Sequence, residues 1–388
     1  NVSEDGKIDC ALKRKICDLY QGFTFFAKND VIVAKITPCF ENGKGAFLNN
    51  LETDIGFGST EFHVLRSQSF SNSSFLYYLV KSEVFMQLGE AFMVGAAGQK
   101  RVPTDFVSNF YIGFPPLEEQ GAIAAFLDCK TAEIDELIAQ KERLIELYEE
   151  EKTAIINEAV TKGINPDVKL KPSGIDWLGD IPEHWEVKKL KYACQLETGH
   201  TPSRSNQEYW ISGECTIPWV SLNDTKTLAS EDYISDTKYK ISLKGMENSS
   251  AHLIDKDSVV FTRDATIGLA AIMTKEMAVS QHIIAWVCPP NIHNYYLLNI
   301  IYTMKEELES RTMGSTLKTI GMADLKRLTI SVPPLEEQIK ISEYIKRQKL
   351  IFDAKIAKTK RIIELQKEYR TALISEAVTG KIKVPQHP

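Results

Sequence analysis

Two long stretches of the chain repeat apolar residues at intervals of mostly three, four or seven. In residues 115–163 these are Ile123, Leu127, Ile134, Leu137, Leu144, Tyr148, Ile155 and Ala159. In residues 333–380 they are Ile341, Ile345, Phe352, Ile356, Ile363, Tyr369, Leu373 and Ala377. That spacing is the seam of a coiled coil, and it predicts two helices of about 45 residues, each roughly 65–70 Å long. Pro115-Pro116 and Pro333-Pro334 end the extended segment before each helix and suit a first helical turn. Glu118-Glu119 and Glu336-Glu337 follow where the helix dipole favours negative charge, and Gly163 and Gly380 close the far ends.

The two stretches are copies of one design. Pro115-Pro116-Leu117-Glu118-Glu119-Gln120 returns 218 positions later as Pro333-Pro334-Leu335-Glu336-Glu337-Gln338. The register then holds without a gap, giving 22 identities over the 47 positions of 115–161 and 333–379. Such a repeat is too long for a solenoid unit. Before each copy lies a mixed region. Asp30–Lys35, Asp257–Phe261 and His282–Trp286 read as strands, and Ser74–Leu88 and Asn294–Glu309 as helices. Lys28-Asn29-Asp30-Val31 parallels Lys256-Asp257-Ser258-Val259, and Lys100 and Lys318 share a repeat position.

The predicted fold is therefore α/β (mixed α+β): two copies of a globular domain joined by two long α-helices forming a coiled coil. A globular domain lies between the helices, so they are expected to run antiparallel. The divisions are 1–114 for the first domain, 115–163 for the first helix, 164–182 for a connector, 183–332 for the second domain, 333–380 for the second helix and 381–388 for a tail. One asymmetry stands out. About 75 residues separate Ile181-Pro182-Glu183-His184-Trp185 from Asp257, whereas fewer than 30 precede Asp30. The first domain is expected to lack an opening of roughly fifty residues on this comparison. Asn1 stands where an initiating Met would be, so it is not expected to be the natural start.

Charge sharpens the reading of the helices. The chain carries a net −6, which at first sight disfavours a nucleic-acid partner. Residues 117–163 hold 5 basic and 12 acidic residues, and residues 335–388 hold 12 and 7. Most of the negative excess thus sits on the first helix, and the second is complementary to it. Exposed ion pairs contribute only about 0–1 kcal/mol each, so the charges choose partner and orientation while the apolar seam stabilises. The globular parts are left close to neutral, with room for a basic groove on either. No apolar run approaches the roughly 20 residues of a membrane span; Val279–Val287 is broken by Gln281 and His282. Seven Cys without a CxxC pair argue for reduced thiols in the cytoplasm, and together with seven scattered His they disfavour a zinc site.

A catalytic constellation is not found. There is no phosphate loop, no HExxH and no nucleophile elbow, and no Pro-Pro-aromatic motif of an amino-methyltransferase. What the domains offer is loop chemistry suited to phosphates and base edges. The first has Lys35, Thr37, Asn42 and Lys44 after a strand, and Gln99, Lys100 and Arg101 after a glycine loop. The second has Thr262 and Arg263, then Thr316 and Lys318, at corresponding places, and adds Arg204, Asn223 and Lys226. Arg can bind guanine in bidentate fashion, Gln and Asn can read adenine, and Lys, Ser and Thr hold phosphates. The same residue types also make ordinary solvated turns. The five Trp, all in the connector or the second half, are expected to pack rather than to stack on bases.

At this point the chain resembles a known family, the specificity subunit of type I restriction–modification systems. The resemblance rests on the doubled PPLEEQ-led helices and their EAVTKG and EAVTGK ends. It also rests on the connector Gly174-Ile-Asp-Trp177-Leu-Gly-Asp-Ile-Pro-Glu-His-Trp185-Glu-Val, on Ala34 to Gly45, and on Gly98-Gln99-Lys100-Arg101-Val-Pro103. The resemblance implies a non-catalytic subunit with two target recognition domains, each binding half of a split, double-stranded DNA site. The paired helices would separate the domains and dock two modification subunits, which carry S-adenosylmethionine and methylate adenine; no cofactor is expected on this chain. Restriction subunits with translocase and nuclease activity can join such a complex. This chain departs from the family pattern at its opening, which puts half-site recognition by the first domain in doubt. Two rival readings remain. One is a scaffold or decoy that captures modification subunits without reading DNA; the other is an intrinsic methyltransferase, which would bind S-adenosylmethionine itself.

Overall fold

Proline and charge delimit the long helices where the sequence places them. The first spans Leu117–Lys162 and the second Leu335–Val378, each with two glutamates in its first turn. Gly163 and Gly380 follow with φ of 80° and 70°, the left-handed geometry that ends a helix at little cost only in glycine. The structure, a computed structural model, describes the chain except residues 1, 4–5, 11, 17–18, 20–21, 97, 211–212, 314–317 and 386–388. It divides into two units: Asn1–Ile145 with Ala357–Pro388, and Glu146–Ile356. Each unit therefore holds the N-terminal part of one long helix and the C-terminal part of the other.

In the first unit, Val31–Ala34 is the central strand, antiparallel to Gly45–Phe47 on one side and Phe62–Leu65 on the other. The helices Ser73–Lys81 and Glu83–Ala91 follow; one helix was expected here, and Ser82 divides it by capping the second. Phe75, Tyr78 and Leu79 pack against Ile123, Ala124 and Leu127 of the first long helix and Leu373, Ile374 and Ala377 of the second. In the second unit the same motif recurs. Val259–Thr262 lies between Ala270–Met273 and Ile283–Val287, and Tyr233–Ile234 and Gln195–Thr198 extend the sheet to five strands. Asn294–Thr303 and Lys305–Ser310 take the place of the single expected helix. Asn29 and Asp257 precede the two central strands at φ of 67° and 66°, so the repeat extends to a single turn residue.

The conserved glutamine of the two PPLEEQ copies makes the same three bonds. Gln120 accepts from Asn72 N–H at 2.8 Å and donates to the carbonyls of Phe70 and Pro115 at 3.0 and 2.8 Å. Gln338 accepts from His293 N–H at 2.8 Å and donates to Asn291 and Pro333 at 3.1 and 2.8 Å. Both side chains are fully buried. Asn72 and His293 are the N-cap residues of the first domain helices, so each glutamine locks a domain helix to the start of a long one. A second pair of bonds holds the far end of each grip. Glu83 N–H donates to Ser375 Oγ at 2.8 Å, and Thr303 Oγ1 donates to Asn157 Oδ1 at 2.9 Å. Asn157 and Ser375 are themselves repeat equivalents.

The long helices pair antiparallel in both units, and again one interaction appears twice. Arg370 binds Asp135 at 2.9 Å, and Lys152 binds Asp353 at 3.2 Å; each residue of one pair is the repeat equivalent of one in the other. The seam differs in detail from the expected one. Tyr369 is 54% exposed, and Leu137, Leu144 and Ile155 are only half-buried, while Ile156 and Thr359 are buried. The slots next to Tyr369 and Glu151 are taken by Arg370 and Lys152, whose aliphatic stems cover the seam while their charged ends reach the aspartates.

The two domains differ in one ladder. In the second unit Glu186–Lys189 pairs antiparallel with Thr329–Val332. The aligned stretch of the first unit, residues 111–114, joins no ladder among the described residues, and Tyr111 is 93% exposed. The connector forms a small hairpin of Leu170–Pro172 and Asp180–Pro182, and Trp185, Trp219 and Trp286 are buried, as a packing role requires.

Removing a glutamine lock should be costly, because it strands one N–H and two carbonyls inside the protein. Gln338→Leu is expected to lower the stability of the second unit by about 3 kcal/mol. All five Trp report on that unit or its connector, so urea denaturation followed by Trp fluorescence measures the loss. A loss below about 1 kcal/mol would show that the buried bonds are replaceable.

Candidate nucleic-acid interface

Each central strand runs out into a loop held by the same backbone bonds. In the first unit Lys35 N–H donates to Glu61 C=O at 2.8 Å, Val102 N–H to Lys35 C=O at 2.9 Å, and Thr37 N–H to Lys100 C=O at 3.0 Å. In the second, Arg263 N–H donates to His282 C=O at 3.1 Å, Ile320 N–H to Arg263 C=O at 3.0 Å, and Ala265 N–H to Lys318 C=O at 3.0 Å. These rungs make Lys35 the equivalent of Arg263, Lys100 of Lys318, and Glu61 of His282. Each domain thus places a cation at the end of its central strand beside a loop lysine.

The rest of the expected first-domain set divides by what each side chain already does. Thr37 Oγ1 donates to Gly98 C=O at 2.6 Å and accepts from Lys100 N–H at 3.1 Å, so it closes the glycine loop. Lys35 Nζ donates to Thr60 C=O at 3.1 Å. Arg101 is held by both oxygens of Glu61, at 2.8 and 2.9 Å. Asn42 and Lys44 lie in the turn after the strand, where Asn42 N–H donates to Pro38 C=O at 3.0 Å and Gly43 sits at φ 64°. The side chains of Asn42, Lys44, Gln99 and Lys100 have no hydrogen-bond or ion-pair partner among the described residues, and Asn42, Gln99 and Lys100 are exposed. These four are the groups most available to a ligand.

In the second unit Thr262 departs from expectation. It is fully buried, accepts from Leu269 N–H at 3.1 Å and donates to Thr266 C=O. It shapes the hairpin and has no surface to offer DNA. Arg204 is not free either: its guanidinium lies 3.8 Å over Trp210, with Trp219 and Tyr239 at 5.1 and 5.2 Å. That cage secures the loop through cation–π attraction. Asn223 sits on a turn capped by Ser221, and Lys226 follows it, exposed. Ser280 N–H donates to Val220 C=O at 2.8 Å, which brings this turn beside the Gln281–His282 corner. Thr316 lies outside the described residues, and Lys318 is exposed at their edge.

Two features escaped the sequence reading. Glu61 neutralises Arg101, and Arg101 in turn holds the Glu61 carboxyl below the usual carboxylate range. In the second unit a side-chain chain runs from Thr201 through Gln281 and His282 to Asp264. Its signal was visible in the two polar residues that interrupt the apolar run Val279–Val287. Among the described residues there is no cluster able to hold a metal ion, and no helix is long and apolar enough to cross a membrane.

Two α/β domains, each gripped by paired helices and each presenting cationic loops, define a recognition scaffold. Comparison with known proteins places it. The model of the type I restriction modification DNA specificity domain matches residues 7–147 and 182–367. The chain belongs to that family. It is 48% identical over 120 residues to the type I restriction enzyme EcoAI specificity subunit of Escherichia coli, covering 31% of this chain and 20% of that protein. It is 25% identical over 314 residues to the putative type I restriction enzyme MjaX specificity subunit of Methanocaldococcus jannaschii, covering 80% and 68%. The matched segment spans about a fifth of the length of the EcoAI relative and of the EcoEI specificity subunit of Escherichia coli. The HsdS subunit from Thermoanaerobacter tengcongensis has the same fold, with a TM-score of 0.58 at 21% identity over 92% of this chain and 82% of that one. A chain from a structure of type I R-M system assembly reaches 0.71 at 20% identity, over 93% and 85%.

His63 gives the first domain a pH dependence. Its Nε2 meets Val102 C=O at 3.0 Å beneath the loop, and burial, with Lys35 nearby, holds its pKa below the ordinary 6.5. A depressed pKa means that the unfolded chain binds the proton first. The stability is complete above about pH 6.5 and is lost as pH falls towards the folded-state pKa. His293 in the second unit is lowered in the same sense, so the probe must be local. Amide exchange at Val31–Ala34 is expected to speed up between pH 7 and 5, after correction for intrinsic rates, and His63→Gln should flatten that response. An unchanged response in His63→Gln would assign it to other groups.

Proposed function

We propose that this chain is the specificity subunit of a type I restriction–modification complex and reads a two-part, non-palindromic site in double-stranded DNA. What carries the reading is the repeated loop framework: the same backbone rungs present a strand-end cation and a loop lysine in both domains, while the side chains around them differ. A shared framework with different side chains suits two half-sites of different sequence. Phosphate contacts from Lys35, Lys44, Lys100, Lys226 and Lys318 would fix register, and amide or guanidinium groups such as Gln99, Asn42 and Arg263 would read base edges.

The long helices act in this reading as the ruler between half-sites and as the docking surface for two modification subunits, which would hold S-adenosylmethionine. Restriction subunits would join the same assembly, in the cytoplasm. Half-site centres about one helical turn apart, roughly 10 bp, suit such an arrangement.

The test is selection from a randomised duplex library by this chain purified with its modification subunits. A two-part motif with a fixed gap is the expected result; no enrichment by an intact complex would favour a protein-binding scaffold. Deleting one heptad from each helix, residues 141–147 and 359–365, keeps the seam in register and shortens the spacer by about 10 Å. The preferred gap should then fall by about 3 bp, with both half-sequences unchanged. An unchanged gap would sink the ruler.

A further inference from the structure

We infer that Gln281 is a base-reading residue of the second domain, selective for adenine, and that Thr201, His282 and Asp264 are the positioning residues that fix its amide. The inference rests on the DNA-reading assignment above and names a residue within it.

The geometry is that of a glutamine held at both polar atoms yet left at the surface. Thr201 Oγ1 donates to Gln281 Oε1, and Gln281 Nε2 lies 3.2 Å from His282 Nε2. An amide nitrogen can only donate, so His282 Nε2 must be the acceptor and its proton must sit on Nδ1. That proton points at Asp264 Oδ2, 2.5 Å away. Asp264 is only 6% exposed, so the chain ends on a carboxylate anchored inside the domain. Each link specifies the next, and the amide has one orientation.

The supports of this chain are backbone features that permit little drift. Gly199 approaches the neighbouring strand so closely that a Cβ there would lie 1.7 Å from Val279 C=O, and this approach brings Thr201 to Gln281. Asp264 is bridged to Thr319, and the next residue, Ala265, takes φ 64° to let its N–H reach Lys318 C=O. Arg263 N–H donates to the carbonyl of His282 itself. The corner thus carries Gln281 beside two cations, Arg263 and Lys318.

Gln281 remains exposed, with one N–H and one carbonyl lone pair uncommitted. A donor beside an acceptor at that spacing is the complement of the adenine N7 and N6–H edge in the major groove. An exposed glutamine ordinarily loses rotamer freedom when it binds; here folding has already removed it, which favours discrimination. The equivalent residue of the first domain is Thr60, whose carbonyl accepts from Lys35, so this device belongs to the second domain alone among the described residues.

The library selection, applied to Gln281→Leu and Asp264→Asn, tests the assignment. Wild type should show one adenine in the second half-site whose preference Gln281→Leu reduces by roughly ten- to a hundredfold. Every other position should be retained. Asp264→Asn should relax that same position by a smaller factor. Native Trp-monitored melting of both variants excludes misfolding as the cause. Unchanged preference at every position overturns the inference and leaves DNA reading intact, as does a uniform loss of enrichment by a natively melting Gln281→Leu. A wild-type complex that selects no sequence removes the DNA reading, and the inference falls with it.

Discussion

The buried glutamine at the head of each long helix is the constraint on which the rest depends. A fully buried amide must satisfy one acceptor and two donors, and Gln120 and Gln338 do so with backbone groups from three directions. Those partners are the N-cap of a domain helix, the loop before it and the proline pair that starts the long helix. One side chain therefore ties the orientation of the domain helix to the axis of the long helix. Apolar packing around Phe75 in one unit and Tyr296 in the other supplies most of the stabilisation, but packing alone tolerates sliding. The directed bonds remove that freedom.

The domain loops inherit this rigidity through the sheet. In both units the central strand leads from a left-handed turn, at Asn29 or Asp257, to a cation at its far end. The two copies then part company in the chemistry opposite that cation. The first domain places Glu61 there, which engages Arg101 through both carboxylate oxygens. The second places His282, which engages Asp264. A carboxylate facing out in one copy and an imidazole in the other give different fields on one backbone. This is how a duplicated framework can serve two unlike ligands without altering its core.

Much of this architecture was legible in the sequence because it follows from periodicity and identity. The long helices, their caps and their antiparallel pairing follow from heptad spacing, flanking proline and glycine, and the repeat. The central strands fall within a residue or two of the expected runs. What was not legible depends on which neighbours a side chain meets. Tyr369 reads as seam in one dimension but faces outward because Arg370 and its aspartate occupy the slot. Thr262 has the composition of a phosphate-binding residue, yet it is buried beneath its own hairpin. The breaks at Ser82 and Met304 lie beside contacts with a long helix, from Glu83 to Ser375 and from Thr303 to Asn157. Hydrogen bonds between residues far apart in sequence leave no periodic trace.

The repetition of polar contacts argues that the likeness of the two units extends to their directed bonds. Asp135–Arg370 and Asp353–Lys152 are one interaction written twice, and the same holds for the glutamine locks and for the Ser375 and Asn157 contacts. Ion pairs with one partly exposed and one exposed partner add little stability, about 0–1 kcal/mol each, so energy alone does not account for their pairing. Geometry does. Each domain is gripped by the start of one helix and the end of the other, so a change in helix register would displace both grips together. Directed contacts at matched positions hold that register, and a seam of interchangeable aliphatic residues would not. None of these matched contacts draws on the strand-end loops, and the contrast between Glu61 and His282 is the outcome expected of a scaffold that keeps its frame and varies its loops.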